Sequence, residues 1–223
     1  MAKKESYVVI GLGKFGMTIC RHLAKAGQEV LAIDNDPEVI NEAANIVMRA
    51  VVANAEDEEA LLDLAVGSFD HVYISIGQNI EASIMATLLI KEQGGKDVTC
   101  RAENIHHARV LEKIGADHVV RPEHDTAERL IFNQLNRSVL DYVYINDHMM
   151  LAEVTIRNPK FINQTLEKLN LRQRFGVNVL AIIEANDEVN EMPQATDIIC
   201  ENDKLTIVGT KESIQRLSDE VDV

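Results

Sequence analysis

Cysteine is scarce. Cys20, Cys100 and Cys200 are the three that 223 residues contain, widely separated and with no CxxC pair among them. A sparse, odd set excludes a disulfide framework and fits a reducing compartment. Cys20 falls in an expected helix and Cys100 in an expected strand, so both read as buried structural thiols. Basic residues are also in short supply, with 22 Lys and Arg against 36 Asp and Glu and a net charge of −14. An acidic chain with no Lys/Arg stripe repels a phosphate backbone, which excludes nucleic acid as a partner. The acidity reads instead as a solvated surface that favours solubility. No apolar run approaches the ~18 residues of a membrane span, and Met1–Glu5 leads into no signal-peptide core. The expectation is a soluble, cytoplasmic chain.

What is present is enough apolar material for a packed core, 46% hydrophobic against 26% charged. Through the first half, short apolar runs alternate with helical spacing, the pattern of βαβ units. Strands are expected at Tyr7–Ile10, Val30–Ile33, Ile46–Val52, His71–Ile76, Val98–Ala102 and Asp117–Val120. Helices are expected between them, at Lys14–Ala26, from Pro37 to about Ala44, and at Asp57–Ala65, Asn79–Gln93 and Asn104–Ile114. A further helix follows at His124–Asn136. Six strands in this rhythm predict a doubly wound parallel sheet of the Rossmann type, an α/β fold. After about Val139 strands dominate, at Tyr142–Ile145, Met150–Ile156, Val177–Glu184 and Leu205–Gly209. A short helix near Leu166–Leu169 and a closing one at Glu212–Glu220 complete a small α+β unit. The division expected is 1–138 for the first domain and 139–223 for the second.

Gly11-x-Gly13-x-x-Gly16 is a weak pattern alone, but here it follows a buried strand and opens a helix. Asp34 ends the next strand, about the ~20-residue distance that a dinucleotide-type fingerprint requires. Gly11 permits the tight turn, Gly13 lets the backbone approach phosphate, and Gly16 allows the helix to pack closely on the strand. The helix-start amides receive phosphate charge. The Asp34 carboxylate accepts from ribose hydroxyls and repels a 2′-phosphate, which disfavours NADP. Leu12, Lys14 and Phe15 complete the loop. Lys14 is either a phosphate-neutralising cation or a solvated surface lysine, and the residues leave both readings open. Asp36 reads as a helix cap.

Ligands in open α/β sheets bind outside the carboxyl ends of the strands. Asn54 and Ala55, Ser75, Ile76 and Gly77, and Arg101 stand at such ends. The small residues leave room for adenine and ribose, and Arg101 reads as a phosphate partner, with a surface ion pair as its alternative. Glu123 lies near the same rim and reads, unaided, as an acid at a helix N-terminus. His106 and His107 are adjacent, so they point to different helix faces, and they read as surface or interface residues rather than metal ligands. The tail offers His148 as its sole histidine and no partnered catalytic pair. A nucleotide site without apparent chemistry points to a sensor, not an enzyme.

Several segments carry a family resemblance. Val8–Gly16, Ala53–Ala55, Ser75–Ser83 and Val110–His118 resemble the RCK (also called KTN) domains that regulate potassium channels and transporters. Leu171–Ile182 resembles the C-terminal RCK subdomain. The chain is most similar to the separate cytoplasmic regulatory subunits of bacterial Ktr-type potassium uptake systems. The resemblance implies ATP as the activating and ADP as the inhibiting ligand of the glycine loop. It also implies a homodimer assembling into an octameric ring beneath a membrane transporter subunit of the KtrB/KtrD kind. It gives Asp34 the adenosine ribose. Lys14 takes a place where relatives often carry Arg toward the γ-phosphate, and it lacks the bidentate fork. Glu123 matches the family acid that coordinates Mg²⁺ or Ca²⁺ near the phosphates. Arg172 and Asn178 match positions that contact cyclic di-AMP in some relatives. The rival readings are an NAD(H)-responsive subunit of the related Trk systems and, from a different class, a small NAD-dependent oxidoreductase.

Overall fold

The computed structural model describes residues 5–135, 138–146 and 148–221. The expected helix end at Asn136 and the residues before Glu5 lie outside these. Contacts divide the chain into two compact units, Met1–Asp125 and Thr126–Val223.

In the first unit the elements are β1 (Ser6–Ile10), α1 (Lys14–Lys25), β2 (Glu29–Asp34), α2 (Pro37–Ala43), β3 (Arg49–Val52), α3 (Glu58–Asp63), β4 (His71–Ile74), α4 (Ile80–Glu92), β5 (Val98–Arg101), α5 (Ile105–Lys113), β6 (His118–Val120) and the start of α6 (Pro122–Leu135). The strands form one parallel sheet in the order β3-β2-β1-β4-β5-β6. The order reverses between β1 and β4, and that switch point is where a parallel sheet opens a crevice. Two apolar clusters cover the sheet. One includes Val8, Ile10, Leu31, Ile33, Ile74, Ile90 and Leu111. The other includes Val9, Leu12, Met17, Cys20, Val30 and Ala32. Cys20 and Cys100 are buried and burial pushes both thiols up to about 11, so they are inert packing groups.

Local signals account for most helix starts. Asp36, Asp57, Asn79 and Asn104 each accept amide hydrogen bonds from the first turn of α2, α3, α4 and α5. Gly27, just beyond α1, has φ of +75°.

Three expectations shift. Residues 46–48 do not join β3, because the Ile46 and Val47 amides donate back to the Ala43 carbonyl and close α2. β4 stops at Ile74, which releases Ser75–Gly77 into a loop. α6 begins at Pro122, two residues before the expected start, with proline at its first position and Glu123 in its first turn. His107 is also a correction: it is 2% exposed, where a surface residue was expected.

In the second unit β7 (Val139–Asn146), β8 (Met149–Thr155), β10 (Asn178–Ile183), β11 (Val189–Asn190) and β13 (Lys204–Gly209) make an antiparallel sheet in the order β11-β10-β13-β8-β7. β9 (Gln164–Thr165) pairs with β12 (Ile198–Ile199) in a separate two-stranded ladder. α7 (Leu166–Leu169), α8 (Leu171–Phe175) and α9 (Lys211–Val221) complete it. Its core holds Met150, Ile156, Phe161, Leu205, Ile207, Ile214 and Leu217. Inside it Ser138 and Ser218 share a hydroxyl hydrogen bond of 2.6 Å. The sheet and closing helix follow the expected α+β pattern. α8 and the short ladders were not anticipated. Asn170, in the left-handed region at φ of +45°, turns the chain between α7 and α8.

Candidate functional site

A cavity of about 660 Å³ lies wholly within the first unit, in the size range of small-ligand sites. It opens at the carboxyl ends of β1, β2, β4 and β5. The chain enters it through Gly11, whose φ of +84° only glycine adopts without strain and whose amide donates to Ile33 at 2.9 Å. A Cβ at Gly16 would overlap the Gly11 carbonyl oxygen, so glycine there is a packing requirement. A Cβ at Gly13 would meet nothing within 4 Å, so the backbone there faces open space.

α1 has Gly13 as its N-cap, which offers no side-chain cap. Its first-turn amides therefore remain available to an anion, unlike the capped starts of α2 to α5.

Asp34 is fixed by the loop it faces. Leu12 donates its amide to Oδ2 at 2.6 Å, and Asp36 donates to Oδ1 at 2.9 Å. Each oxygen keeps lone-pair capacity for a further donor. Asp36 itself accepts from the Glu38 amide at 2.8 Å, the cap expected of it.

Of the residues singled out from sequence, Gly11, Gly13, Lys14, Phe15, Asp34, Asn54, Ala55, Ser75, Ile76, Gly77, Arg101 and Glu123 line this cavity. Leu12 and Gly16 do not. The Leu12 side chain is 3% exposed in the core, and only its backbone serves the site. Asn54 accepts from the Glu56 amide at 3.1 Å, which shapes its own turn. Ser75 is 6% exposed, and its Oγ finds no partner among the described residues.

Arg101 and Glu123 meet directly, Nη2 to Oε1 at 2.7 Å, with Glu103 at 3.6 Å from the same nitrogen. A Cβ at Gly77 would fall on Arg101 Nη1, so glycine is what lets the guanidinium lie there. The Glu123 carboxyl is held below its ordinary range by a hydrogen bond from its own amide and by the Arg101 guanidinium. Asn35, Asn79 and Glu103 also line the cavity and were missed from sequence. Glu103 sits two residues past Arg101 at the same strand end, a signal that strand position alone carries.

The lining carries four carboxylates, Asp34, Glu56, Glu103 and Glu123, and two fixed cations, Lys14 and Arg101. Among the described residues no three His, Cys, Asp or Glu side chains are grouped to hold a metal alone. A divalent cation in this cavity would therefore need oxygens beyond the protein's own carboxylates. Arg172 lies exposed on α8 and Asn178 exposed at the start of β10, both in the second unit and remote in sequence from this cavity.

Comparison with known proteins gives two domain matches, TrkA-N over residues 7–122 and TrkA-C over residues 151–222. The chain is 41% identical to "Ktr system potassium uptake protein C" of Bacillus subtilis (strain 168), covering 98% of each. It is 38% identical to "Ktr system potassium uptake protein A" of the same organism, over 98% of this chain and 97% of that protein. The chain belongs to the KtrA/KtrC-like RCK family. A solved structure titled "GsuK channel bound to NAD" shares the fold, with a TM-score of 0.61 at 17% identity. It covers 99% of this chain, and this chain spans 40% of that one. The family's two domain matches thus fall on the parallel-sheet unit that holds the cavity and on the antiparallel-sheet unit that follows it. No helix among the described residues is long and apolar enough to cross a membrane.

Proposed function

We propose that this chain is the nucleotide-responsive cytoplasmic regulatory subunit of a potassium uptake system. It acts on a membrane transporter subunit of the KtrB/KtrD kind, and its first domain, 1–138, binds ATP or ADP. ATP favours the active transporter and ADP the inactive one. The observation that carries the ligand class is the pairing of Asp34 with an uncapped, glycine-turned helix start on one cavity. Asp34 receives the ribose hydroxyls, and the α1 amides receive the phosphates. The chain regulates rather than catalyses, as a homodimer that assembles into an octameric ring.

Two features favour ATP and ADP over the NAD(H) reading, although GsuK is titled as bound to NAD. The adenosine end suits both ligands equally. The same cavity is lined by Lys14 and Arg101, cations that suit terminal phosphates better than a nicotinamide ring. The excess of carboxylates over cations also makes a polyphosphate anion dependent on a divalent counter-ion. Mg²⁺ or Ca²⁺, when bound, supplies that charge neutralisation, and Glu123 is the carboxylate placed to hold it. In the second domain, 139–223, exposed Arg172 and Asn178 are proposed to take cyclic di-AMP as an inhibitory ligand.

Calorimetric titration of the full chain with ATP, ADP, NAD, NADH and cyclic di-AMP, with and without Mg²⁺, tests the reading. The adenine nucleotides should bind more tightly than NADH. NADH binding far more tightly than ATP would overturn the ligand assignment, and turnover of NADH with any substrate would overturn the regulatory one.

A further inference from the structure

Arg101, half-buried in the cavity, and Glu123, exposed at its rim, are each other's partner. The Arg101 side chain is 17% exposed, whereas that of Glu123 is 71% exposed. The glycine at position 77 leaves the space that Arg101 Nη1 occupies, and Arg101 Nε is buried without a partner among the described residues. Glu123 stands on the first turn of α6 and reaches back to Nη2 across 2.7 Å. One partner is largely shielded from solvent, and the other is exposed on the first turn of a helix.

A guanidinium binds carboxylate and phosphate with the same planar fork. The Glu123 carboxylate therefore sits on a guanidinium nitrogen that a phosphate oxygen would use. Resting on the adenine-nucleotide reading of this cavity, we propose that Glu123 is an internal competitor of the ligand's phosphates for Arg101. Phosphate gains Arg101 only as Glu123 leaves it, and Glu123 leaves most readily when it turns to a divalent cation. Anion on Arg101 and cation on Glu123 then reinforce each other, and by linkage each raises the affinity of the other by the same factor. Glu103, 3.6 Å from the same nitrogen, makes no direct hydrogen bond to it.

The test is calorimetry on the full chain in EDTA, with ADP and with adenosine, which has no phosphate. Glu123→Ala should bind ADP about two- to fivefold more tightly than the unaltered chain, the range an exposed ion pair spans. Adenosine should bind both equally. ADP binding equally or more weakly in Glu123→Ala would overturn the competition. The gain must also vanish without Arg101: Arg101→Gln with Glu123→Ala should bind ADP no more tightly than Arg101→Gln alone. A gain that persists there would be a general charge effect and would overturn the proposal. If the unaltered chain binds neither ligand, the nucleotide reading itself falls. If it binds both and Glu123→Ala moves neither, only the competition falls.

Discussion

At the scale of single residues, Asp34 is the side chain on which the ligand reading turns. Its two oxygens are held by the Leu12 and Asp36 amides at 2.6 and 2.9 Å, which presents the carboxylate without requiring it to reorganise. Asp34→Ala should weaken ADP by about tenfold or more, since hydrogen bonds to a charged group contribute about 1.5–3 kcal/mol. Titration calorimetry checks this, and unchanged affinity would rule out the ribose role. The spacing from Gly11 to Asp34 made this residue legible in the sequence, because strand and turn lengths in a βαβ unit are narrowly set. The Arg101–Glu123 contact was not legible as a pair. They end one strand and open one helix 22 residues apart. Nothing in local spacing says that a glycine at position 77 opens the space where the guanidinium lies. His107 was misplaced for a similar reason: a polar residue beside His106 says little about which helix face its neighbours cover.

At the scale of elements, the opposite end of the sheet carries a second group of charges. His71, which starts β4, bonds Asp97 at 2.5 Å and Glu5 at 3.3 Å and stacks on Tyr7 with ring centroids 4.8 Å apart. His118, which starts β6, approaches the same Asp97 at 3.5 Å. Burial lowers the His71 pKa, but the hydrogen bonds and charges of Asp97 and Glu5 outweigh it and carry the value above the ordinary one. A raised folded-state pKa adds stability that is complete below the unfolded value of ~6.5 and is lost as pH climbs through the folded value. His71→Gln should therefore lower the melting temperature more at about pH 5.5 than at about pH 8.5. An equal loss at both would contradict the pairing.

Elements with strong periodicity or a capping residue were readable in advance, as the starts at Asp36, Asp57, Asn79 and Asn104 show. Those that depend on tertiary pairing were not. The ladder of Gln164–Thr165 with Ile198–Ile199 is two residues long and joins segments more than thirty positions apart in the numbering, so no local pattern announces it. The early start of α6 was not read from the sequence, which placed it at His124, although Pro122 is suited to a first helical position.

At the scale of the whole molecule, two units are joined along one chain, and the cavity proposed for the nucleotide belongs to the first. A ligand shifts a conformational equilibrium only by as much as it prefers one state. ATP and ADP differ by one terminal phosphate, so on the proposed reading the contacts that tell them apart involve the charged lining of Lys14, Arg101 and Glu123. The direct measurement is potassium flux through the membrane partner in vesicles, with this chain added and loaded with ATP plus Mg²⁺ or with ADP. Uptake should be faster with ATP than with ADP, and Asp34→Ala should lose that difference. Equal flux with both nucleotides, or faster flux with ADP, would contradict the proposed regulation.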